Sequence, residues 1–225
     1  AFDIANLYYL KKFNIDYFKV PSGEITNIPY LEVLGKLKKK VILSTGMSNI
    51  DEIKMAIKTL TINGTNKKNI TVLQCTTAYP APYEDINLNT IAYLKDKLKL
   101  NIGFSDHSLG VQASIAAAAL GARVIEKHIT LNKNLKGPDH KSSLDPNELK
   151  YMIKSIRIVE KILGDKIKNI TNSERKNIYV ARKSIVALTK INKNEKFSSA
   201  NITCKRPGTG ISPIFFKKLL GKKAI

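Results

Sequence analysis

The chain has 225 residues, of which 43% are hydrophobic and 25% are charged, a balance typical of globular proteins. Its length is sufficient to bury a full core in one large domain or two small ones. No apolar run approaches the roughly 20 residues of a membrane-spanning helix, and the first residues lack the pattern of a signal peptide. We therefore expect no membrane partner.

The two cysteines, Cys75 and Cys204, lie far apart and in different sequence contexts. Neither has a partner at the spacing of a metal-binding motif, so a metal site built from them is not expected. Cysteines used in this way are typical of proteins from a reducing compartment. We therefore expect the protein to be cytoplasmic.

The formal net charge is +20, and only five of the 38 basic residues are arginines. Proteins that bind nucleic acids usually combine arginine with aromatic residues along a groove. Here lysines are spread over nearly every predicted helix, which favours solvated faces over a nucleic-acid patch. The positive field still attracts small anions such as phosphates, so it weakly supports an anionic substrate.

Apolar residues at helical spacing predict a helix over residues 3–13, and five strand–helix units follow it. The predicted strands cover residues 17–20, 41–43, 70–73, 101–104 and 123–125. The predicted helices cover residues 28–37, 51–60, 88–98, 109–120 and 147–163. This alternation favours a parallel sheet with right-handed crossovers.

A (β/α)8 TIM barrel has eight such units over roughly 250 residues. A helix followed by five units is the pattern of a barrel without its first three, so residues 1–163 are predicted to be its C-terminal five units. An open doubly wound sheet is the alternative, but it would more often carry a glycine-rich phosphate loop, and none is present. We expect the chain to be an incomplete copy of a longer protein.

Residues 164–180 are polar and have no clear apolar face, and we interpret them as a linker. Beyond them, the short runs 184–188, 196–197 and 201–204 predict strands separated by turns. We therefore predict a small β-rich domain over residues 181–225, which stops before it looks complete.

All three histidines lie between Gly103 and Ser143. His107 and His128 each follow a predicted strand, and the carboxyl ends of consecutive parallel strands lie side by side. Two neutral imidazoles at such an edge predict a divalent-metal site, although a hydrogen-bonded structural role is equally open. His140 lies in a loop with glycine, proline and aspartate, where a solvated histidine is the simpler interpretation.

Three of the five strands are followed by a serine: Ser22, Ser44 and Ser105. Hydroxyls and loop amides facing helix N-termini are suited to binding a phosphate. Each serine taken alone is as well explained as a cap of the following helix. The three together favour a phosphate site.

Six segments at matching spacing resemble the sialic acid synthase family, the bacterial N-acetylneuraminate synthases. They are residues 19–24 (KVPSGE), 43–47 (LSTGM), 79–85 (YPAPYED), 103–107 (GFSDH), 125–128 (IEKH) and 137–141 (GPDHK). Residues 205–208 (KRPG) resemble the start of a motif in the antifreeze-like (SAF) domain that ends those enzymes. The resemblance covers nearly the whole chain.

The resemblance implies a TIM barrel with a C-terminal SAF domain and a condensation of phosphoenolpyruvate with an open-chain N-acylated aminohexose. With N-acetylmannosamine the products are N-acetylneuraminate and phosphate. A divalent cation, Mn2+ or Mg2+, takes part. Sister synthases form legionaminic or pseudaminic acid and remain the alternative. A lysine-rich nucleic-acid-binding protein is the alternative of a different class.

The family's functional residues match positions of this chain. The resemblance implies that His107 and His128 bind the metal and that Glu24 is a general acid or base. It implies that phosphoenolpyruvate binds at Lys19, Ser22, Ser44 and Ser105, and that the sugar contacts Tyr79 and Asp139. Arg206 matches a residue that the SAF domain inserts into a neighbouring barrel, which implies a domain-swapped homodimer.

Overall fold

Five parallel strands form the centre of the N-terminal unit of the computed structural model. They are β1 (Tyr17–Val20), β2 (Lys40–Ser44), β3 (Ile70–Cys75), β4 (Asn101–Asp106) and β5 (Ile125–Lys127). Six helices accompany them: α1 (Ile4–Lys11), α2 (Ile28–Lys36), α3 (Ile50–Ile62), α4 (Thr90–Leu98), α5 (Gln112–Ala119) and α6 (Pro146–Leu163). The structure describes residues 1–225, and this unit covers Ala1–Gly164.

Each strand pairs in parallel with the next one along the chain, so the order in the sheet is β1-β2-β3-β4-β5. A doubly wound sheet reverses its strand order at a switch point, and this sheet has no reversal. Consecutive parallel strands with a helix after each are the arrangement of a (β/α)8 barrel. The unit is therefore an arc of such a barrel, and the predicted fold class is confirmed.

The predicted elements of this unit are all present, and their ends differ by a few residues. The clearest shift concerns the fifth strand, which was predicted over residues 123–125 and covers Ile125–Lys127. Arg123 already donates a backbone hydrogen bond to Ile102 at 2.8 Å, but the regular ladder with β4 begins only at Ile125. Apolar character alone did not locate the beginning of that ladder.

The core lies between the sheet and the helices. Its largest fully buried side chains include Tyr30 and Leu34 of α2, Leu60 of α3, Ile91 of α4 and Phe104 of β4. The helices α3 and α6 begin at capping boxes, in which the side chain of the N-cap residue accepts from the backbone N–H of the third helical residue. The glutamate at that third position accepts in turn from the backbone N–H of the N-cap residue. These caps fix where each helix leaves the loop at the carboxyl edge of the sheet.

The two faces of the sheet differ in chemistry at their carboxyl ends. Cys75, Ser105 and Glu126 are cross-strand neighbours in register and share one face. Asp106 and Lys127 form the next row, and successive residues of a strand point to opposite faces. Asp106 accepts a hydrogen bond from Ser114 of α5, so this second face is the one covered by helices. The row of Cys75, Ser105 and Glu126 therefore faces the barrel interior.

The C-terminal unit, Asp165–Ile225, has a two-stranded antiparallel sheet of β6 (Ser184–Ala187) and β7 (Ile202–Lys205), with the helices α7 (Asn172–Ala181) and α8 (Phe216–Leu219). The helix α7 begins inside the segment 164–180 that was interpreted as a linker and ends one residue beyond it. The strand predicted over 196–197 is wrong, because Lys196 forms only an isolated bridge with Lys223. In neither unit does a helix have the length and apolar character needed to cross a membrane.

Gly103 of β4 provides a test of strand packing. A Cβ at this position would collide with the carbonyl oxygen of Val124 and would lie 2.5 Å from Cδ2 of Leu73. Gly103→Ala is therefore expected to lower the free energy of unfolding by about 1–3 kcal/mol, as overpacking does, in urea denaturation. The matched control is Gly23→Ala, because nothing lies within 4 Å of its Cβ position. Equal stability of the two variants would contradict this account of the packing.

Candidate functional site

Three rings meet at the carboxyl edge of the sheet. The centroids of His107 and His128 are 5.6 Å apart, with an interplanar angle of 81°. The ring of Tyr79 lies 4.2 Å from that of His107 and 5.6 Å from that of His128. Both histidines directly follow the paired ends of β4 and β5, so the strand pairing brings the two imidazoles together.

The imidazole of His107 is held in one tautomer by its backbone partner. Its Nδ1 lies 2.7 Å from the carbonyl oxygen of Thr76, which can only accept, so Nδ1 carries the proton. In the neutral ring its Nε2 therefore keeps a lone pair, and this nitrogen lies 3.5 Å from Ser105 Oγ. Burial lowers the pKa of His107, but hydrogen bonds to Cys75 and Thr76 outweigh burial and raise the pKa above its usual value.

The donor set of the two histidines fits a divalent cation. The Nδ1 of His128 lies 3.9 Å from Asp139 Oδ2, and a ligating histidine commonly faces a carboxylate or carbonyl with its other nitrogen. No group of three or more His, Cys, Asp or Glu side chains is arranged to hold a metal ion. A cation bound by His107 and His128 would therefore take its other ligands from substrate or water.

A polar network lies beside the histidines on the inner face of the sheet. Ser105 Oγ donates a hydrogen bond to Glu126 Oε1 at 2.7 Å, and Lys19 Nζ lies 3.4 Å from the same oxygen. Ser22 Oγ accepts from the Gly46 amide at 3.0 Å. The network holds an ammonium, hydroxyls and an amide, which are donors suited to an anion, and the carboxylate of Glu126 already engages two of them.

The hydroxyl of Ser44 is buried and has no hydrogen-bond partner in the structure. Leaving a buried hydroxyl unpaired costs free energy, so this hydroxyl has the capacity for a hydrogen bond that the chain itself does not supply. Of the three serines predicted to bind a phosphate, Ser22 and Ser105 already have protein partners and Ser44 has none.

Two residues of this network were not assigned roles from the sequence. Glu126 was part of the IEKH segment that resembles the family, and Cys75 was considered only as a cysteine without the spacing of a metal-binding motif. The Cys75 thiol accepts from Ser22 at 3.6 Å and lies 3.8 Å from His107 Nδ1. Burial raises the pKa of this thiol, but the hydrogen bonds from His107 and Ser22 outweigh burial and lower the pKa. Cys75 and Glu126 are identified by their cross-strand pairing with Ser105. This pairing is known only once the register of the strands is known, so the sequence alone does not reveal it.

Two further predicted site residues, Glu24 and Arg206, have other partners, and so does His140, for which a solvated role was the simpler interpretation. Glu24 Oε2 accepts a hydrogen bond from Asn27 Nδ2 at 2.6 Å. His140 Nδ1 lies 2.7 Å from Thr130 Oγ1 and so has a structural partner. In the C-terminal unit, Arg206 is exposed and donates from Nε to the Ala181 carbonyl at 2.9 Å.

Comparison with known proteins gives relatives along the whole chain. The N,N'-diacetyllegionaminic acid synthase of Campylobacter jejuni is 52% identical over 223 residues, which are 99% of this chain and 67% of that protein. A pseudaminic acid synthase of Campylobacter jejuni is 40% identical, over 96% of this chain and 62% of that protein. The chain thus spans about two thirds of the length of these relatives.

A solved structure is also similar. The N-acetylneuraminic acid synthetase of Leptospira borgpetersenii matches with a TM-score of 0.73 and 35% identity, over 79% of this chain and 61% of that chain. Residues 182–225 match the SAF domain. Residues 1–168, which contain the whole cluster of histidines and hydroxyls, match the NeuB family, and the chain therefore belongs to the NeuB family.

Proposed function

We propose that the protein condenses phosphoenolpyruvate with an N-acylated aminohexose to give a nonulosonic acid and phosphate. The observation that carries this proposal is the convergence of His107 and His128 with the donors of Lys19 and Ser105 at one edge of the sheet. The 52% identity to a synthase of this kind supports it. The condensation needs an anion site beside a site for a polarised aldehyde, and these residues supply both.

In the reaction, C3 of phosphoenolpyruvate forms a bond to the aldehyde carbon of the open-chain sugar. Water then adds to C2, and phosphate leaves as the C2–O bond breaks. Lys19, Ser22, Ser44 and Ser105 hold the carboxylate and phosphate of phosphoenolpyruvate, which fixes C3 in front of the aldehyde. Tyr79 and Asp139 contact the sugar.

His107 and His128 would hold the divalent cation, Mn2+ or Mg2+, through their ring nitrogens. When bound, the cation supplies Lewis-acid polarisation of the aldehyde oxygen and orients the sugar. Glu24 acts as a general acid or base, because its carboxylate is half-buried near the strand ends. In this role it exchanges its hydrogen bond with Asn27 for one with the substrate.

The number of acetamido groups in the product indicates the acceptor sugar. Phosphoenolpyruvate contains no nitrogen, so every acetamido group of the product comes from the acceptor. The 52% relative is named for a diacetylated product, which favours an acceptor with two acetamido groups over N-acetylmannosamine. The sequence resemblance pointed to N-acetylmannosamine, and both sugars belong to the same reaction class.

The reaction is tested by phosphate release from phosphoenolpyruvate with a panel of mono- and diacetamido hexoses. We expect release only with added Mn2+ or Mg2+ and the fastest rate with a diacetamido sugar. His107→Ala and His128→Ala should abolish Mn2+ binding and turnover, while His140→Ala, whose partner is Thr130, should be milder. Absence of phosphate release with every sugar would refute the proposed reaction, and unchanged Mn2+ affinity in both of the first two variants would refute the metal site.

The three serines are tested through the Michaelis constants of the two substrates. Each of Ser22→Ala, Ser44→Ala and Ser105→Ala removes one hydroxyl contact to an anion, about 1.5–3 kcal/mol. The KM for phosphoenolpyruvate should therefore rise roughly ten- to a hundredfold, with the sugar KM little changed. Thr59→Ala, which removes a buried hydroxyl from α3, is the control. A rise confined to the sugar KM would assign these residues to the other substrate.

Arg206 tests the proposed homodimer. Its exposed guanidinium is a planar fork of donors suited to an N-acyl carbonyl of the sugar, and we expect it to complete the site of a partner subunit. Mixing inactive His107→Ala subunits with inactive Arg206→Ala subunits should restore activity, because one of the two hybrid sites then has neither lesion. If subunit exchange is verified and no activity returns, the arrangement in trans is wrong.

A further inference from the structure

A buried ion pair lies directly behind the two histidines. Asp106 and Lys127 are cross-strand partners at the ends of β4 and β5, and each immediately precedes one of the histidines. Lys127 Nζ lies 3.1 Å from Asp106 Oδ2, and the two side chains are 3% and 0% exposed. They point to the helix-covered face, away from the substrates, so they are not candidates for direct contact with the reacting atoms.

The carboxylate of Asp106 is fully satisfied by the chain. Its Oδ1 accepts from the amide of Ser108 at 2.9 Å and from the Ser108 hydroxyl at 2.6 Å. Its Oδ2 accepts from Ser114 Oγ at 2.6 Å and from Lys127. Lys127 also donates to the carbonyl of Ser108. Residues 106 and 108, on both sides of His107, are thus tied to the residue that precedes His128.

Stability alone does not explain this pair. Desolvating two charges offsets their attraction, and replacing a buried ion pair with apolar residues of similar volume is often neutral or stabilising. Hydrogen bonds have a narrow range of geometries, so those of Asp106 and Lys127 fix the backbone on either side of His107. An apolar pair would pack in their place but would not fix the backbone in this way. The pair therefore has a positional role.

We propose that Asp106 and Lys127 are positioning residues that set the separation and orientation of His107 and His128. The proposal rests on the proposed metal-dependent function, in which two imidazoles at a fixed separation bind the cation. Outer-shell partners of metal ligands commonly change metal affinity by about ten- to a hundredfold when they are mutated. Here the outer shell acts through the backbone next to each ligand.

The test measures Mn2+ affinity of the protein by the EPR signal of free Mn2+, without substrate turnover. Asp106→Asn and Lys127→Met each leave one partner of the pair without its counterion, and both should weaken Mn2+ binding by about tenfold or more. Ser108→Ala and Ser114→Ala remove one hydroxyl each and preserve both charges, so a smaller loss of about twofold to tenfold is expected, the effect of one hydrogen bond. Thr59→Ala is the control, and its Mn2+ affinity should equal that of the wild type.

A second readout requires no metal. In the wild type, 15N spectra of the imidazoles should show His107 with its proton on Nδ1, since that nitrogen faces the Thr76 carbonyl. Asp106→Asn, or Ser108→Ala if the former does not fold, should give averaged tautomers. Wild-type Mn2+ affinity and a single His107 tautomer in a folded variant would overturn the positioning role. If the wild type binds no Mn2+, the proposed metal site fails, and the tautomer measurement still decides the positioning role.

Discussion

The register between β4 and β5 is the constraint on which the rest of the site depends. Parallel pairing of consecutive strands places all strand ends at one edge, and the pairing of Asp106 with Lys127 places the two histidines at the same height. Gly103 permits this closeness, because any side chain there would meet Val124. A shift of one residue in either strand would turn each side chain to the other face and would separate the imidazoles.

Adjacent residues of a strand point to opposite faces of the sheet, so neighbours in the sequence have different surroundings here. Ser105 and Glu126 lie on the inner face with the candidate substrate groups, while Asp106 and Lys127 lie on the outer face among the helices. Polar groups on both faces are unusual for a barrel strand, whose outer side normally packs apolar side chains. The outer pair is compensated by a full set of hydrogen bonds. In the proposed site the inner face would carry the chemistry, and the outer pair would fix its geometry.

The order of strands and helices in the N-terminal unit could be predicted because hydrophobic periodicity is local. The partners of the site residues could not, because contacts such as that between Ser22 and the Gly46 amide depend on how two strands are spaced. The helix α7 was missed since it has no buried residue, and only the capping box of Thr171 and Glu174 indicated it. The prediction of a strand at 196–197 was wrong because Lys196 pairs with Lys223 in a single isolated bridge.

A cluster with two imidazoles and no third protein ligand has a physical consequence for the proposed site. Catalytic metal sites keep open positions, and here most of the coordination would come from substrate and water. Each ligand that must be ordered on binding costs conformational entropy. With only two protein ligands, the affinity for the cation would depend on how well His107 and His128 are held before the cation binds. His107, fixed by the Thr76 carbonyl and by the backbone around it, meets this requirement. In the proposed site, two histidines would leave coordination positions open for a sugar aldehyde, and the fixed strand ends beneath them would hold both imidazoles ready for the cation.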